Sequence, residues 1–230
     1  MIKLFVAGDS FASLTQGQPT GTSWSERLAT QLDMTLVNVA RAAASNVSIA
    51  IQLDWIVGQA KPHDLVLVWL TDHRRITIVN DFAQVDPAKS LLSQHSPHIG
   101  QINIADGVYM QDSIVSGMAG NPTSNLMKHY AIRSFDPTFQ RFLDEYTVTG
   151  ALAKLKTVTK NFIVFPGGFE YASPDTFLLG TDNWHNYTSD AVQKLNAQHE
   201  HVYGNHLTMA VNELIANELS ERIRLTKSVD

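Results

Sequence analysis

The sequence predicts an α/β protein with a central parallel β-sheet. Three short apolar runs in the first seventy residues are predicted strands, namely Ile2–Ala7, Thr35–Ala40 and Leu65–Leu70. Helix-like segments separate them, and strands that alternate with helices form parallel sheets through right-handed crossovers. The third run, LVLVWL, is apolar at every position, which is typical of a strand whose sheet is covered on both faces.

Each helix between these strands begins at a predicted cap. Ser23 and Glu26 have the spacing of a capping box, in which each side chain bonds to the other residue's backbone N–H, and a helix continues over Arg27–Leu32. Ser45 and Asn46 are the predicted start of a second helix. Its apolar residues recur at helical spacing: Ile49, Ile51, Leu53 and Ile56.

The rest of the chain predicts an irregular insertion and then two long helices with a strand between them. Residues 76–134 carry Gly, Pro, Asn and Gln among scattered apolar residues, which predicts a long insertion with short helices over one edge of the sheet. Helical periodicity returns over Asp136–Lys160, a strand is predicted at Asn161–Phe165, and the last helix runs roughly from Gly204 to Arg224. The apolar positions are Phe139, Phe142, Leu143, Tyr146, Leu152 and Leu155 in the first helix and Leu207, Val211, Leu214 and Leu219 in the last.

Composition narrows the class of protein. The chain has 230 residues, of which 44% are hydrophobic and 17% charged, and a formal net charge of -5. These values predict one globular domain over residues 1–230, without the basic surplus of a nucleic-acid-binding protein. No apolar run is long enough to span a membrane or to form a signal peptide, so we expect a soluble, cytoplasmic protein. Cysteine is absent, which excludes disulfides and a thiolate nucleophile.

A serine follows the first predicted strand directly, in the sequence Gly8-Asp9-Ser10-Phe11. In an open α/β sheet, ligands and chemistry lie at the carboxyl ends of the strands. A serine there can act as a nucleophile if a histidine reaches its hydroxyl. The alternative is an ordinary Asp-Ser turn, because both residue types favour turns.

The order of several motifs resembles that of the SGNH hydrolases, also called the GDSL esterase/lipase family. The motifs are Gly8-Asp9-Ser10 after the first strand, the segment Asn38–Asn46 after the second, Trp69–Asp72 after the third and a histidine-rich segment before the last helix. The resemblance implies a three-layer α/β/α sandwich, similar to flavodoxin, around the parallel sheet. It also implies a serine esterase that needs no metal or organic cofactor.

Carried onto this chain, the family pattern makes Ser10 the nucleophile and its N–H one donor of the oxyanion hole. The family's second donor is a glycine N–H, and Ala43 stands at that position, where it keeps the backbone donor. The third donor is an asparagine in the family and Thr71 here, whose hydroxyl can also donate. Asn46 is another possible donor, and a helix cap is its competing role.

Three histidines compete for the role of general base. His201 lies where the family has its base, shortly before the last helix. His185 has an aspartate, Asp182, three residues ahead of it, which is the spacing that lets a carboxylate orient the ring. His199 is the third candidate. If His201 is the base, two alternatives remain: Asp182 completes the triad from the preceding loop, or the protein has a Ser-His dyad without an acid.

Two other functions fit parts of the same sequence. The histidines at 185, 199, 201 and 206 could bind Zn²⁺ with Asp182 or Glu200, but no established ligand spacing supports this site, so we expect no metal. A non-catalytic domain that binds a carbohydrate or a protein is the second alternative, favoured by the substituted oxyanion motifs. For the esterase, the resemblance allows several acyl esters, and we favour a small acyl group, such as an O-acetyl group, on a carbohydrate.

Overall fold

The structure is a computed structural model, and it describes residues 1–14, 21–40, 44–73, 76–79, 107–110, 136–167, 173–186, 194 and 207–227. Within these ranges the chain forms a four-stranded, all-parallel sheet with helices on both faces. The predicted α/β fold is therefore confirmed. No helix in the described ranges is both long enough and apolar enough to cross a membrane.

The central sheet has the strand order β2-β1-β3-β6. Its strands are Lys3–Gly8 (β1), Thr35–Asn38 (β2), Leu65–Trp69 (β3) and Phe162–Phe165 (β6). The chain moves from β1 to β2 on one side and then crosses back to β3 on the other, so the direction of winding reverses between β1 and β3. In open α/β sheets a crevice forms at such a reversal, outside the carboxyl ends of the strands.

All four predicted helices are present, but the third ends four residues before the predicted Lys160 and the last begins five residues after the predicted Gly204. They are Trp24–Gln31 (α1), Asn46–Val57 (α2), Pro137–Lys156 (α3) and Met209–Lys227 (α4), with short 3₁₀ turns at Asp175–Phe177 and Thr181–Asn183. The predicted capping box is present, because Ser23 Oγ accepts from the N–H of Glu26 and Glu26 Oε2 accepts from the N–H of Ser23. Ser45 caps α2, and Asn46 is the first residue of that helix.

Two separate cores confirm the three-layer arrangement. Successive side chains of a strand point to opposite faces of the sheet. Phe5, Val66 and Val68 therefore pack against α2 and α3, whereas Leu67 and Trp69 pack against α1 and α4. Strand β2 ends two residues earlier than predicted, at Asn38, because the N–H of Ala40 turns back to bond with Asn38 Oδ1.

The insertion contains strands that the sequence did not predict. Ile76–Val79 (β4) and Gly107–Met110 (β5) pair as a two-stranded antiparallel sheet. The remainder of the interval 76–134 lies outside the described residues.

Not all of the apolar positions of the two long helices are buried. Phe139, Phe142 and Tyr146 are 59%, 50% and 70% exposed, so the first half of α3 turns its aromatic residues outward. Of the positions predicted to face the core in the last helix, Leu214 is wrong, because it is 40% exposed. The other three are buried, namely Val211 and Leu219 in α4 and Leu207 just before it. The periodicity is helical in both cases, but it does not specify which apolar residues have a layer to pack against.

Asn212 holds the start of α1 against α4. Its Oδ1 accepts from the N–H of Trp24 at 2.8 Å, and this N–H is one of those that a helix cannot satisfy itself. Its Nδ2 donates to the carbonyls of Leu207 and Thr208, and the side chain is buried. One side chain thus satisfies backbone groups of two helices.

We predict that Asn212→Ala lowers the free energy of unfolding by about 1–3 kcal/mol, because the Trp24 N–H is left buried without an acceptor. Asn217→Ala is the matched control on the same helix. Asn217 is exposed and bonds to Gln31, so its loss should cost no more than about 0.5 kcal/mol. Urea denaturation of both variants measures the difference, and equal losses would contradict the assigned role of Asn212.

Candidate active site

The turn after β1 is fixed first by Gly8. Its φ angle is +155°, a conformation that side-chain-bearing residues rarely adopt. A Cβ added there would lie 2.8 Å from the Cβ atoms of Ala12 and Trp69 and 2.9 Å from the Trp69 carbonyl oxygen. Strand β1 therefore approaches β3 so closely at this point that only glycine fits.

Gln52 of α2 also holds Gly8 in place. Gln52 Oε1 accepts from the N–H of Gly8 at 2.7 Å, and its Nε2 donates to the Gly8 carbonyl at 3.2 Å. The side chain is buried, so both backbone groups at the end of β1 are satisfied without water.

Asp9 shapes the turn that carries Ser10. Asp9 Oδ1 accepts from the N–H of Phe11 at 2.9 Å, and its carbonyl accepts from the N–H groups of Ala12 and Ser13. This Asx-type turn places Ser10 at its tip. Asp9 itself is only 2% exposed, and its Oδ2 accepts from the Thr71 hydroxyl at 2.8 Å. Asp9 thus anchors the turn to the buried segment that follows β3.

Ser10 is partly exposed at the carboxyl edge of the sheet, beside the reversal between β1 and β3. No described residue is a hydrogen-bond partner of its hydroxyl. Phe11 follows it and is held on two sides: its ring stacks on Trp69 at 6.1 Å, and its carbonyl accepts from Trp24 Nε1 at 2.8 Å. The residues that flank Ser10 are therefore well fixed.

Thr71 does not have the role that the family resemblance implies. A hydroxyl carries one proton, and that of Thr71 is donated to Asp9. The side chain is 1% exposed, so it is also shielded from any substrate. In this geometry the Thr71 side chain has no donor to offer an oxyanion.

Asn46 is neither a helix cap nor a free donor. One hydrogen of its Nδ2 is donated to the Thr71 carbonyl at 2.9 Å and the other to Asp144 Oδ2 at 2.8 Å. Its Oδ1 accepts from the N–H of Thr71 at 3.0 Å. Asn46 is fully buried, so this amide acts as a clamp on the backbone that follows β3.

Asp144 is the buried carboxyl group that the sequence reasoning missed. It lies on α3, has no exposed surface, and accepts from Asn46 and, through Oδ1, from Gln140 Nε2 at 2.8 Å. Burial raises its pKa to about 7, against the opposing effect of the two hydrogen bonds and with a further increase from the charge of Asp72. A signal was available, since Asp144 stands four residues before Val148 on the buried face of the helix.

His185 lies far from Ser10 in the sheet. Its N–H donates to the Val164 carbonyl, so it extends the sheet on the far side of β6, with β3 and β6 between it and β1. At the usual strand spacing this separation is roughly 14 Å. Burial lowers the pKa of His185, opposed by the charge of Glu218, whose Oε1 lies 3.5 Å from His185 Nε2. This placement does not support His185 as the base for Ser10.

Asp182 is not the carboxylate beside His185, despite the spacing in sequence. Its carbonyl accepts from Arg222, and the next residue, Asn183, donates to the Phe162 carbonyl at the amino end of β6. Asp182 therefore lies at the edge of the sheet opposite to Ser10. Glu218 of α4 occupies the place next to His185 that the sequence assigned to Asp182.

Several predicted residues cannot be located. His201, His199 and Ala43 lie outside the described residues, and so do His206 and Glu200 of the metal alternative. Within the described ranges, no three His, Cys, Asp or Glu side chains come together as a metal site.

One histidine that the sequence analysis did not single out lies at the carboxyl edge. His73 follows Thr71 by two residues, is 18% exposed, and has its Nδ1 3.7 Å from Asp72 Oδ1. Because β3 is the neighbour of β1, this Asp72–His73 pair belongs to the same edge of the sheet as Ser10.

We predict that Gly8→Ala destabilises the fold by about 2 kcal/mol or more, because the new Cβ meets backbone and side-chain atoms and the φ angle is strained. Gly150→Ala is the matched control in the middle of α3. Nothing lies within 4 Å of a Cβ added at Gly150, so this change should stabilise by about 0.5–1 kcal/mol. Thermal unfolding measures both changes. A lower unfolding temperature in Gly8→Ala together with a higher one in Gly150→Ala supports the turn geometry, and an unchanged unfolding temperature in Gly8→Ala contradicts it.

We predict that Asp144 makes the protein more stable as the pH falls from about 7 towards 4. The folded protein holds this proton with a pKa of about 7, whereas the ordinary value is 3.8, so folding takes up a proton between these values. The free energy of unfolding then rises by up to about 1.4 kcal/mol per pH unit of decrease. Above pH 7 the contribution of Asp144 is constant.

Urea denaturation at several pH values measures this slope. Asp144→Asn should lack the contribution, and Glu145→Gln, which removes the neighbouring partly exposed carboxylate, should keep it. Identical slopes in the wild type and Asp144→Asn would refute the raised pKa.

A comparison of the chain with known protein families and with curated proteins finds no match. The relationship to SGNH hydrolases therefore stays a prediction from the short sequence motifs and their order.

Proposed function

We propose that the protein is a serine esterase that hydrolyses an acyl ester with Ser10 as the nucleophile. The observation that carries the proposal is the position of Ser10 at the tip of a buried, Asp9-anchored turn, beside the reversal between β1 and β3. That is the place where an open α/β sheet forms its ligand crevice. Gly8 and Asp9 are both built into the turn by contacts that leave Ser10 itself partly exposed.

In the proposed reaction Ser10 Oγ attacks the ester carbonyl carbon and gives its proton to a histidine nitrogen. The same histidine then protonates the leaving alcohol, and water releases the acyl group from Ser10 in a second step. His201 is the proposed base, with His199 and now His73 as alternatives. Because the Thr71 and Asn46 side chains are engaged elsewhere, the proposed oxyanion donors are the N–H groups of Ser10 and Ala43.

The proposed substrate is a small acyl group, such as an acetyl ester, on a carbohydrate. This choice follows from the polar composition of residues 76–134, which we expect to lie over the catalytic edge. No metal or organic cofactor takes part in the proposed mechanism.

A second function, a non-catalytic binding domain for a carbohydrate or a protein partner, is favoured by one observation. Both side chains that could have completed the oxyanion hole are buried in other hydrogen bonds, and loss of one donor typically costs about 10²–10³ in rate. A binding domain on this fold would keep its ligand affinity when Ser10 is removed.

Hydrolysis of 4-nitrophenyl acetate and of an acetylated oligosaccharide tests the esterase proposal. We predict that Ser10→Ala lowers the rate roughly 10³-fold or more, because the proposed acyl-enzyme forms on the Ser10 hydroxyl. Ser173→Ala, a partly exposed serine in another loop, should keep the wild-type rate. A wild type that binds the oligosaccharide without hydrolysing it would favour the binding domain instead.

Alanine variants of the four histidines identify the base in the same assay. His201→Ala is expected to abolish hydrolysis, and His185→Ala to retain it because His185 lies on the far side of β6. Loss of activity in His73→Ala or His199→Ala, with His201→Ala active, would move the role of base to that residue.

A further inference from the structure

We propose that Asp144 is a positioning residue for Ser10, which acts through the buried chain of Asn46, Thr71 and Asp9 to hold the turn that carries the nucleophile. The catalytic consequence of this chain rests on the esterase proposed above. The chain of hydrogen bonds can itself be tested without measuring enzymatic activity.

The first half of the chain fixes the orientation of the Asn46 amide. Asp144 Oδ2 accepts from Asn46 Nδ2 at 2.8 Å, while Asp144 Oδ1 accepts from Gln140 Nε2 at 2.8 Å. An ionised carboxylate accepts through both oxygens, so these two N–H donors suit Asp144 in its charged form. A bond from an amide to a carboxylate is also stronger than one between neutral groups.

The second half carries this orientation to the turn. Asn46 bonds to the carbonyl of Thr71 at 2.9 Å and to its N–H at 3.0 Å. These two bonds fix the Thr71 backbone and therefore the position of its side-chain hydroxyl. That hydroxyl donates to Asp9 Oδ2, and Asp9 Oδ1 holds the N–H of Phe11, the residue after Ser10. Each link has one donor and one acceptor, so the direction of the whole chain is determined.

Burial makes the chain act as a unit. Asp144, Asn46, Thr71 and Asp9 are 0%, 0%, 1% and 2% exposed. Water cannot replace a bond that breaks among them, and an unpaired polar group at such a site is costly. A change at one end is therefore passed on as a rearrangement of the next bond.

Protonation of Asp144 disrupts the first hydrogen bonds of the chain, those that its carboxylate accepts from Asn46 and Gln140. A protonated carboxyl must donate its proton, yet the described neighbours of both oxygens, Asn46 and Gln140, present N–H groups. One of the two amides has to turn over, or its bond has to lengthen. If Asn46 turns over, its Nδ2 faces the N–H of Thr71 and both bonds to that residue are lost.

Among the described residues, Asp72 is the charged group that acts on Asp144. Asp72, after β3, raises the pKa of Asp144 through like charge, and His73 Nδ1 lies 3.7 Å from Asp72 Oδ1. Farther along the contact between α2 and α3, Lys154 pairs with Asp54 at the surface. Burial and Asp72 together bring the pKa of Asp144 to about 7, so the change of state falls in an accessible pH range.

Backbone amide NMR of the full-length protein between pH 5.5 and 8.5 tests the chain of hydrogen bonds directly. The signals of Ser10, Phe11 and Thr71 should shift together, with a midpoint near pH 7. Asp144→Asn should remove this shared titration, whereas Glu145→Gln, on the same helix, should leave it unchanged. Amide signals of the turn that do not respond in the wild type would overturn the proposal.

The rate of ester hydrolysis over the same pH range provides the second measurement. We expect Asp144→Asn to lower kcat roughly 10- to 100-fold at pH 8 with little change in KM, because a displaced nucleophile loses attack geometry rather than binding. Its kcat should also lose the increase between pH 6 and 8 that depends on Asp144. Glu145→Gln should keep the wild-type profile.

The two measurements separate this proposal from the esterase itself. Shared amide titration without hydrolysis in the wild type would support the chain and refute the esterase. Hydrolysis with a wild-type kcat and pH profile in Asp144→Asn would overturn the positioning role. If Asp144→Asn does not fold, the titration of the wild-type amides decides the question alone.

Discussion

The side-chain amide of Asn46 is the contact on which the carboxyl edge of this sheet depends. Its oxygen and both of its hydrogens are used, two of the three bonds going to the backbone of Thr71 and one to Asp144. The amide thereby joins α2, the end of β3 and α3 at one buried point. Without it, the backbone groups of Thr71 would be buried and unpaired, and the anchor of Asp9 would move with them.

This clamp changes how the family resemblance applies to the chain. At Thr71, where the resemblance implies a side-chain donor to substrate, and at Asn46, the other candidate donor, the side chains bond within the protein instead. Ser10 is thus presented on a strongly supported turn, and the proposed oxyanion donors are backbone N–H groups.

Local features of the fold could be predicted, and long-range ones could not. The capping box of Ser23 and Glu26 and the runs that form β1 and β3 depend on neighbours in sequence, and all are present. The bond between Asn46 and Asp144 joins residues 98 positions apart, which periodicity cannot indicate. The spacing of Asp182 and His185 was misleading for the same reason, because Glu218 from another helix takes the place beside the ring.

The most direct test of the account is the site at which the protein reacts with a fluorophosphonate, which phosphonylates only an activated serine. The reacted protein is digested, and the modified residue is located by mass spectrometry of the peptides. The account predicts a single adduct on Ser10, absent from Ser10→Ala. Folded protein that stays unmodified, or that carries the adduct on a different residue, would contradict the assignment of Ser10 as the nucleophile.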